Sequence, residues 1–450
     1  MTRGPIVAGV PLVRPGSTAD PIGYVDGRTV TVAEFLADAA ALAARLPERS
    51  HVLNLCTDRY RFTVGFAAAL IRGQASLLPP QRTADFLARL ARGYAGLYAL
   101  TEVSEPDLPM EALVYPSPIA ANRVTATIPA FPPQQVAAIV FTSGTTGEPI
   151  PHVKTWGALA RGAMGEAQAL GLDHLPRATV VGTVPPQHMY GIESTVMIVL
   201  QARLAMSNGR PFYPEDVRAA LAGVPAPRVL VTTPVHLRAL DIEGIQLPPL
   251  ALVLSATAPL AEEVAARAEA RFGAPVHEIY GFTEVGMVAS RRTVEGPAWR
   301  PPPGVRLRRE GEAWWAEGAH IDVPARFTDL IEVFEDGRFA LFGRATDMVN
   351  VAGKRTSLAS LNFHLLSIPG VRDGAYYLPP ESGETVARLA AFVVAPGVST
   401  RVLREELRRR VDPIFLPRPL HFVAALPRNA TGKLPAEALG RLAAECAKRR

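Results

Sequence analysis

Cysteine is almost missing: Cys56 and Cys446 are the only two in 450 residues and stand far apart. That excludes a disulfide framework and a cysteine-based zinc site, and it fits a reducing compartment. No run reaches the roughly 18 apolar residues that a spanning helix needs. The N-terminal apolar stretch from Pro5 to Val13 is short, is interrupted by Pro11 and lacks a signal-peptide layout, so the expectation is a cytoplasmic protein without a membrane span. Like charges never form a block longer than a triplet such as Arg408 to Arg410, and no basic-aromatic alternation occurs. The net charge of +5 and pI near 9.3 therefore do not indicate nucleic acid. An anionic small ligand or an acidic protein partner explains the balance as well. Internal repeats and low-complexity tracts are also missing.

Lysine is the scarcest of the common charged residues, at positions 154, 354, 433 and 448 only, against 43 arginines. A chain that uses arginine almost everywhere keeps lysine where a compact ammonium is hard to replace.

What is present is a soluble globular composition, 48% hydrophobic and 20% charged, in a chain too long for one ordinary core. Thr31 and Glu34 fit a capping box ahead of Phe35, Leu36, Ala39, Leu42 and Leu46 at helical spacing. A strand-like segment follows at 52–56. Later strand candidates at 136–142, 178–184, 228–232, 251–255 and 276–280 alternate with helical patterns that include 193–205 and 260–272. That alternation predicts an α/β fold around a largely parallel sheet. From Pro297 and the PPPG at 301–304 the pattern becomes loop-rich, with an Asp-Gly hairpin expected within 334–344. A smaller α+β pattern then runs through helices near 357–367 and 399–410 and strands near 374–378 and 389–394. The expected division is a large N-terminal domain, 1–344, and a small C-terminal one, 345–450.

Residues 141–149, FTSGTTGEP, leave an apolar strand for a loop of hydroxyls and glycines. Ligands of α/β sheets sit beyond the C-terminal ends of strands. Gly144 and Gly147 allow close backbone approach, and Thr142, Ser143, Thr145 and Thr146 offer hydroxyls, a set suited to cradling an anion. The loop matches neither the Walker A pattern nor GxGxxG. A plain glycine-rich surface turn is the competing reading.

Three further segments accompany it in order: YGFTE at 280–284, FGRATDMVNVAGKR at 342–355 and LPRNATGKL at 426–434. Together the four resemble the motifs of the adenylate-forming superfamily: acyl- and aryl-CoA synthetases, adenylation domains of peptide synthetases, and luciferases. The resemblance covers roughly residues 130–435. It implies a large N-terminal domain of stacked sheets and helices, carrying the ATP and acid sites, with a small mobile α+β lid.

By that resemblance, Thr142 to Gly147 hold the β- and γ-phosphates of ATP. The family's lysine after the loop proline is missing, since Ile150 follows Pro149, and Lys154 is the candidate to take over phosphate contact, with a surface lysine as the alternative. Ala256 and Thr257, in LSATAPL, stand in the adenine-binding segment where glycines are common. Tyr280 lies by the adenine beside Gly281, Thr283 near the α-phosphate, and Glu284 on Mg²⁺, which needs few protein ligands. Asp329 accepts from the ribose hydroxyls with Arg344 as its partner, although the usual glycine of Thr-Gly-Asp is missing. Lys433 bridges the substrate carboxylate and the α-phosphate, and Arg355 faces the phosphate. Two anions must meet there, so a point cation suits the task.

PPQHMYG at 185–191 is similar to the family's acid-binding segment: His188 contacts or gates the carboxylate, with Tyr190 and Glu193 nearby, against a purely structural histidine. An aspartate at that place would pair an α-ammonium. His188 does not, which favours an acid without an α-amino group. The resemblance further implies rotation of the small domain about a hinge after Arg344, where Thr346 stands in place of Asp or Lys. Gly353 would then line a pantetheine tunnel, and Lys354 is a candidate contact for the acceptor. The acceptor is CoA or the phosphopantetheine of a free-standing acyl carrier protein, because no serine-centred carrier motif is seen. The pattern TSGTTGxPxPHxK is similar to that of ligases that prime aryl-polyene or related pigment pathways with an aryl acid. Rival classes are a P-loop-like nucleotide hydrolase or kinase and a non-catalytic carrier-binding homologue.

Overall fold

The computed structural model describes residues 9–79, 81–116, 127–143, 149–242, 245–344, 348–351, 354–379, 388–428 and 434–448. Thr31 caps the first helix, Val32–Ala43, through the expected box: its hydroxyl accepts from the Glu34 amide while the Glu34 carboxylate accepts from the Thr31 amide at 2.7 Å. The helix stops before Leu46, which is nevertheless buried.

Two sheets dominate. One orders its strands Pro149–Thr155, Val136–Ser143, Ala75–Leu78, His51–Asn54, Tyr98–Thr101 and Ala112–Val114, all parallel except the first pair. The other runs Gly286–Arg292, Val276–Phe282, Leu252–Ser255, Arg228–Thr232, Thr179–Gly182, Ala205–Ser207, Pro21–Val25 and Arg28–Thr31. Its six central strands are parallel, and an antiparallel strand closes each edge. The helix Arg59–Ile71 is buried along nearly its whole length, as an element covered by layers on both sides must be. The expected strands are thus present, within a residue or two at most ends.

Three local expectations need correction. The helix expected at 193–205 begins earlier, at Met189, passes through a π turn at Glu193–Met197 and ends at Ala202, because Arg203 turns into the left-handed region with φ of 58°. The stretch after Pro297 is not mainly loop. It forms a three-stranded antiparallel sheet, Val305–Glu310, Ala313–Gly318 and Ile321–Arg326, with only one face buried, so its alternation is diluted by exposed arginines and glutamates. The hairpin begins before 334: strands Asp329–Val333 and Phe339–Arg344 flank a turn with Gly337 at φ of 79°.

Beyond it, Met348–Val351 pairs with Lys354–Ser357, and a three-stranded sheet of Asp373–Tyr377, Ala390–Val394 and Leu420–Phe422 packs with helices Leu358–Leu366, Thr400–Arg410 and Ala436–Lys448. The apolar clusters here draw their buried members from 349–439, separately from those of the two large sheets.

Candidate active site

The antiparallel edge of the large sheet makes a turn at Thr283–Val285, and two glycines set its shape. A Cβ on Gly281 would lie 2.2 Å from the Gly286 carbonyl oxygen, and Gly286, at φ of 93°, has no room because a Cβ would lie 2.0 Å from a Glu193 carboxylate oxygen. The turn presents Thr283 half-buried and Glu284 exposed. Just before it, the Tyr280 hydroxyl donates to Asp329 at 2.6 Å, and its ring stacks on Phe327 with centroids 6.1 Å apart and planes at 19°. Asp329 opens its strand directly opposite Arg344 in the register. Tyr280, Gly281, Thr283, Glu284, Asp329 and the Arg344 backbone therefore converge, although 49 residues separate Tyr280 from Asp329.

On the neighbouring parallel strand, Leu252–Ser255, the chain exits through Ala256 and Thr257. Thr257 adopts φ of 80°, a conformation where glycine is the usual occupant and a β-branched residue is strained. Its hydroxyl is buried without a hydrogen-bond partner. Such an orphaned group, in the segment expected to meet adenine, fits a nucleotide that supplies the missing partner. At the first loop, Thr142 lies 2.9 Å from His152 Nε2 across the pair of strands that enter and leave it.

Lys154 is not a surface lysine: it is only 4% exposed. It stands five residues along the strand from Pro149, on the order of 16 Å at strand rise. Its ammonium donates to the Glu284 carbonyl at 2.5 Å. Burial drives its pKa down, opposed by Glu193, Glu284 and Asp322, and burial together with Glu166 drives that of Glu193 up. Glu193, at the start of the π turn, is held by the Met287 amide. Glu166, on helix Trp156–Ala169, is fully buried, and burial pushes it up to about 7 against the opposing pull of the Ser194 hydroxyl.

His188 caps the helix that starts at Met189 and is half-buried. The Tyr190 hydroxyl sits 3.0 Å from the carbonyls of both Thr232 and Leu254, so its single proton is taken by the sheet and only its ring is left to line a pocket. Lys354 forms an ion pair with Asp412. Gly144, Thr145, Thr146, Gly147, Thr346, Gly353 and Lys433 lie outside the described residues, as do the side chains of Ser143, Arg344 and Arg355. Among the described residues, no cluster of three or more metal-ligating side chains occurs. A lone Glu284 suits a magnesium ion that takes its other ligands from water and phosphate.

The sequence reading missed Glu166, His320, His152 and Phe327. His152 stands in the same short strand as Lys154, and Phe327 two residues before Asp329, so local spacing could have pointed to both. Glu166 and His320 carry no local signal.

A model of AMP-binding enzymes matches residues 14–312, and one of the AMP-binding enzyme C-terminal domain matches 364–433. A 4-coumarate–CoA ligase of Halorhodospira halophila is 30% identical over 320 residues, covering 67% of this chain and 76% of that protein. A second, of Rhodobacter capsulatus, is 28% identical over 300 residues, covering 66% and 74%. The ATP-bound MatB of Rhodopseudomonas palustris superposes with a TM-score of 0.78 at 20% identity, over 95% of this chain and 97% of that one. With both family models matched in chain order, the protein belongs to the adenylate-forming superfamily of AMP-binding enzymes, among its acyl-CoA-synthetase-like, AMP-forming acid–thiol ligases.

Proposed function

We propose that the protein joins a carboxylic acid without an α-amino group, aryl or acyl, to ATP, giving acyl-AMP and pyrophosphate. It then passes the acyl group to a pantetheine thiol, with AMP leaving. The observation that carries this reading is the Tyr280 to Asp329 hydrogen bond, which sets an aromatic ring and a carboxylate side by side at one mouth next to the Glu284 turn. A base can stack on the ring while the ribose hydroxyls donate to the acid.

In this reading Ala256 and the orphaned Thr257 hydroxyl meet the adenine edge, Arg344 supports Asp329, and Thr283 contacts the α-phosphate. Thr142, Ser143, Gly144, Thr145, Thr146 and Gly147 cradle the outer phosphates. Lys154, its ammonium already on the Glu284 carbonyl, acts on them through that turn. A magnesium ion on Glu284 would offset phosphate charge. His188 borders the incoming carboxylate, Lys433 draws it against the α-phosphate, and Arg355 adds positive charge. The carboxylate oxygen attacks phosphorus, the bond to the outer two phosphates breaks, and a pantetheine sulfur later attacks the acyl carbon.

We place the boundary between the large domain and its lid at 344/345, with rotation bringing Gly353 to a thiol tunnel. The relatives named as CoA ligases support CoA as the first acceptor to test, with a free-standing carrier protein as the second. Among the described residues no helix is long and apolar enough to cross a membrane, and a cytoplasmic location belongs to this proposal. The test is acid-dependent ATP–pyrophosphate exchange over benzoic, cinnamic and fatty acids, followed by competition between CoA and carrier proteins. Release of ADP or inorganic phosphate instead of AMP and pyrophosphate would sink the reading.

A further inference from the structure

Helix Pro234–Ile242 follows directly on strand Arg228–Thr232, whose last carbonyl accepts the Tyr190 hydroxyl of the acid segment. Its Leu237 and Leu240 belong to a buried apolar cluster on which Phe363, from the small domain's helix Leu358–Leu366, packs. The helix therefore lies between the segment assigned to the acid and the small domain. Among these apolar contacts stands an arginine: Arg238 is 3% exposed. Its Nε donates to the Arg372 carbonyl of the small domain at 3.3 Å, across 134 residues of sequence, while its Nη1 is buried without a partner. A buried guanidinium with an unmet donor costs stability, and an apolar side chain would suit this packing at least as well. The arginine is explained by something other than stability.

On the small-domain side the Arg372 backbone is fixed by the sheet, its amide donating to the Val394 carbonyl at 2.8 Å. The next residue, Asp373, holds Arg428 by two contacts of 2.7 Å, with side chains only 13% and 16% exposed. Burial pushes the Arg238 pKa down to about 10, opposed by Asp373 and reinforced by Arg428, so both charges act on it while it stays cationic at neutral pH. Asp373 thus offsets two guanidinia, one from each domain. Arg428 stands five residues before Lys433, about 17 Å at full extension. The start of the segment that carries Lys433 is anchored where the small domain meets the helix beside the acid segment.

We propose that Arg238 is a positioning residue: seated on the Arg372 carbonyl beside the Asp373–Arg428 pair, it latches the small domain in the arrangement that delivers Lys433 to the acid and the α-phosphate. Its release lets the domain turn for thiol transfer. The proposal rests on the acid-activating function and the domain rotation above, and names the contact that sets the balance between the two arrangements. A broad apolar interface would hold the domain too firmly to turn, whereas a carbonyl contact and an offset charge break readily. Neutralising Asp373 sets Arg238 against Arg428 and drives the domains apart.

The experiment compares the wild type with Arg238→Met, Asp373→Asn and the double variant, with thermal unfolding as a fold check. Adenylation is read as ATP–pyrophosphate exchange with the best acid of the benzoic, cinnamic and fatty panel. Transfer is read as thioester formation from the synthetic acyl-AMP of that acid, with CoA or carrier protein, whichever the competition above favours. Exchange should fall about 3- to 10-fold in Arg238→Met and about 10- to 30-fold in Asp373→Asn, while transfer stays within about twofold. In the double variant exchange should recover at least about threefold over Asp373→Asn, because one of the repelling charges has gone. Equal losses in both half-reactions, as a general defect gives, or a double variant no better than Asp373→Asn, overturns the proposal. Spin labels on Ala219→Cys and Arg404→Cys, both exposed positions, in a Cys446→Ser background read the domain separation without substrate. The distance distribution should broaden when Asp373→Asn is added, and an unchanged one overturns the latch. If no acid of the panel supports exchange, the acid-activating function fails, and the label distance still decides the latch. Should Asp373→Asn not fold, the ratio of the two half-reactions in Arg238→Met decides.

Discussion

At one end of the segment 280–287, Tyr280 and Asp329 meet in a half-exposed mouth, each with a polar partner and an aromatic neighbour. At the other, Glu193 reaches back across Gly286 into a region where Lys154, His320 and Glu166 are buried and several polar atoms find no partner. The Tyr280–Asp329 pair at the first end is satisfied before any ligand arrives, although the Thr257 hydroxyl beyond the neighbouring strand is not. The pair suits a ligand common to a whole family, which needs a stable surface to settle on. The second leaves acceptors unsatisfied and charges desolvated, a cost that a protein keeps only where something is gained, as at a site that discriminates. The shared turn explains how one short stretch serves both: its glycines let the backbone pass between the two without a side chain in the way.

Four experiments would break or sharpen this contrast. The largest effect is expected from Lys433→Ala, which should lower acyl-adenylate formation by about 100- to 1000-fold with the unfolding temperature unchanged, as for loss of a group acting on transition-state charge. Full-speed exchange would remove the nucleotide end's connection to the chemistry. Asp329→Ala should weaken ATP binding by about 10- to 100-fold, the range for a charged hydrogen-bond partner, measured as KM for ATP while KM for the acid stays put.

Glu166→Met tests the buried end by stability. With its folded pKa raised to about 7 above the ordinary 4.5, the folded state holds a proton that the unfolded state has released between those pH values. Wild-type stability from this group is therefore present below about pH 4.5 and lost as pH rises to 7. The variant should lack that loss, so its advantage over wild type should grow by roughly 2 kcal/mol between pH 5 and pH 8 in denaturant titrations. A pH-independent difference would show that Glu166 is not strained by its surroundings. The smallest effect is expected for Thr257→Gly, which should gain up to about 1 kcal/mol by relieving the left-handed backbone. It should also bind ATP slightly less well if its hydroxyl meets the adenine.

The end proposed for the nucleotide was the more legible in the amino-acid sequence. Its parts are short segments whose glycines, hydroxyls and single carboxylates follow strands, and Thr257 drew notice as a threonine where glycine is common. The buried end was legible only in part: Lys154 and Glu193 stand in recognisable segments, but Glu166 and His320 do not, and the four come from a strand, a helix, a π turn and a loop. Glu166 in helix Trp156–Ala169 has the local spacing of any surface glutamate. Nothing within a few residues tells whether a neighbouring element will cover it. The π turn, which directs Glu193 inward, was likewise invisible, since its apolar spacing reads as an ordinary helix.

By itself the chain's sequence determined the alternation of strands and helices and the capped first helix, because these depend on backbone preferences and hydrophobic period over a few residues. Only the tertiary structure decided which charges lose water, that Lys154 is buried on the Glu284 carbonyl instead of exposed, and that His320 is buried with its Nε2 unpartnered. Desolvation is set by what packs over a side chain from distant parts of the chain, and that information has no local signature.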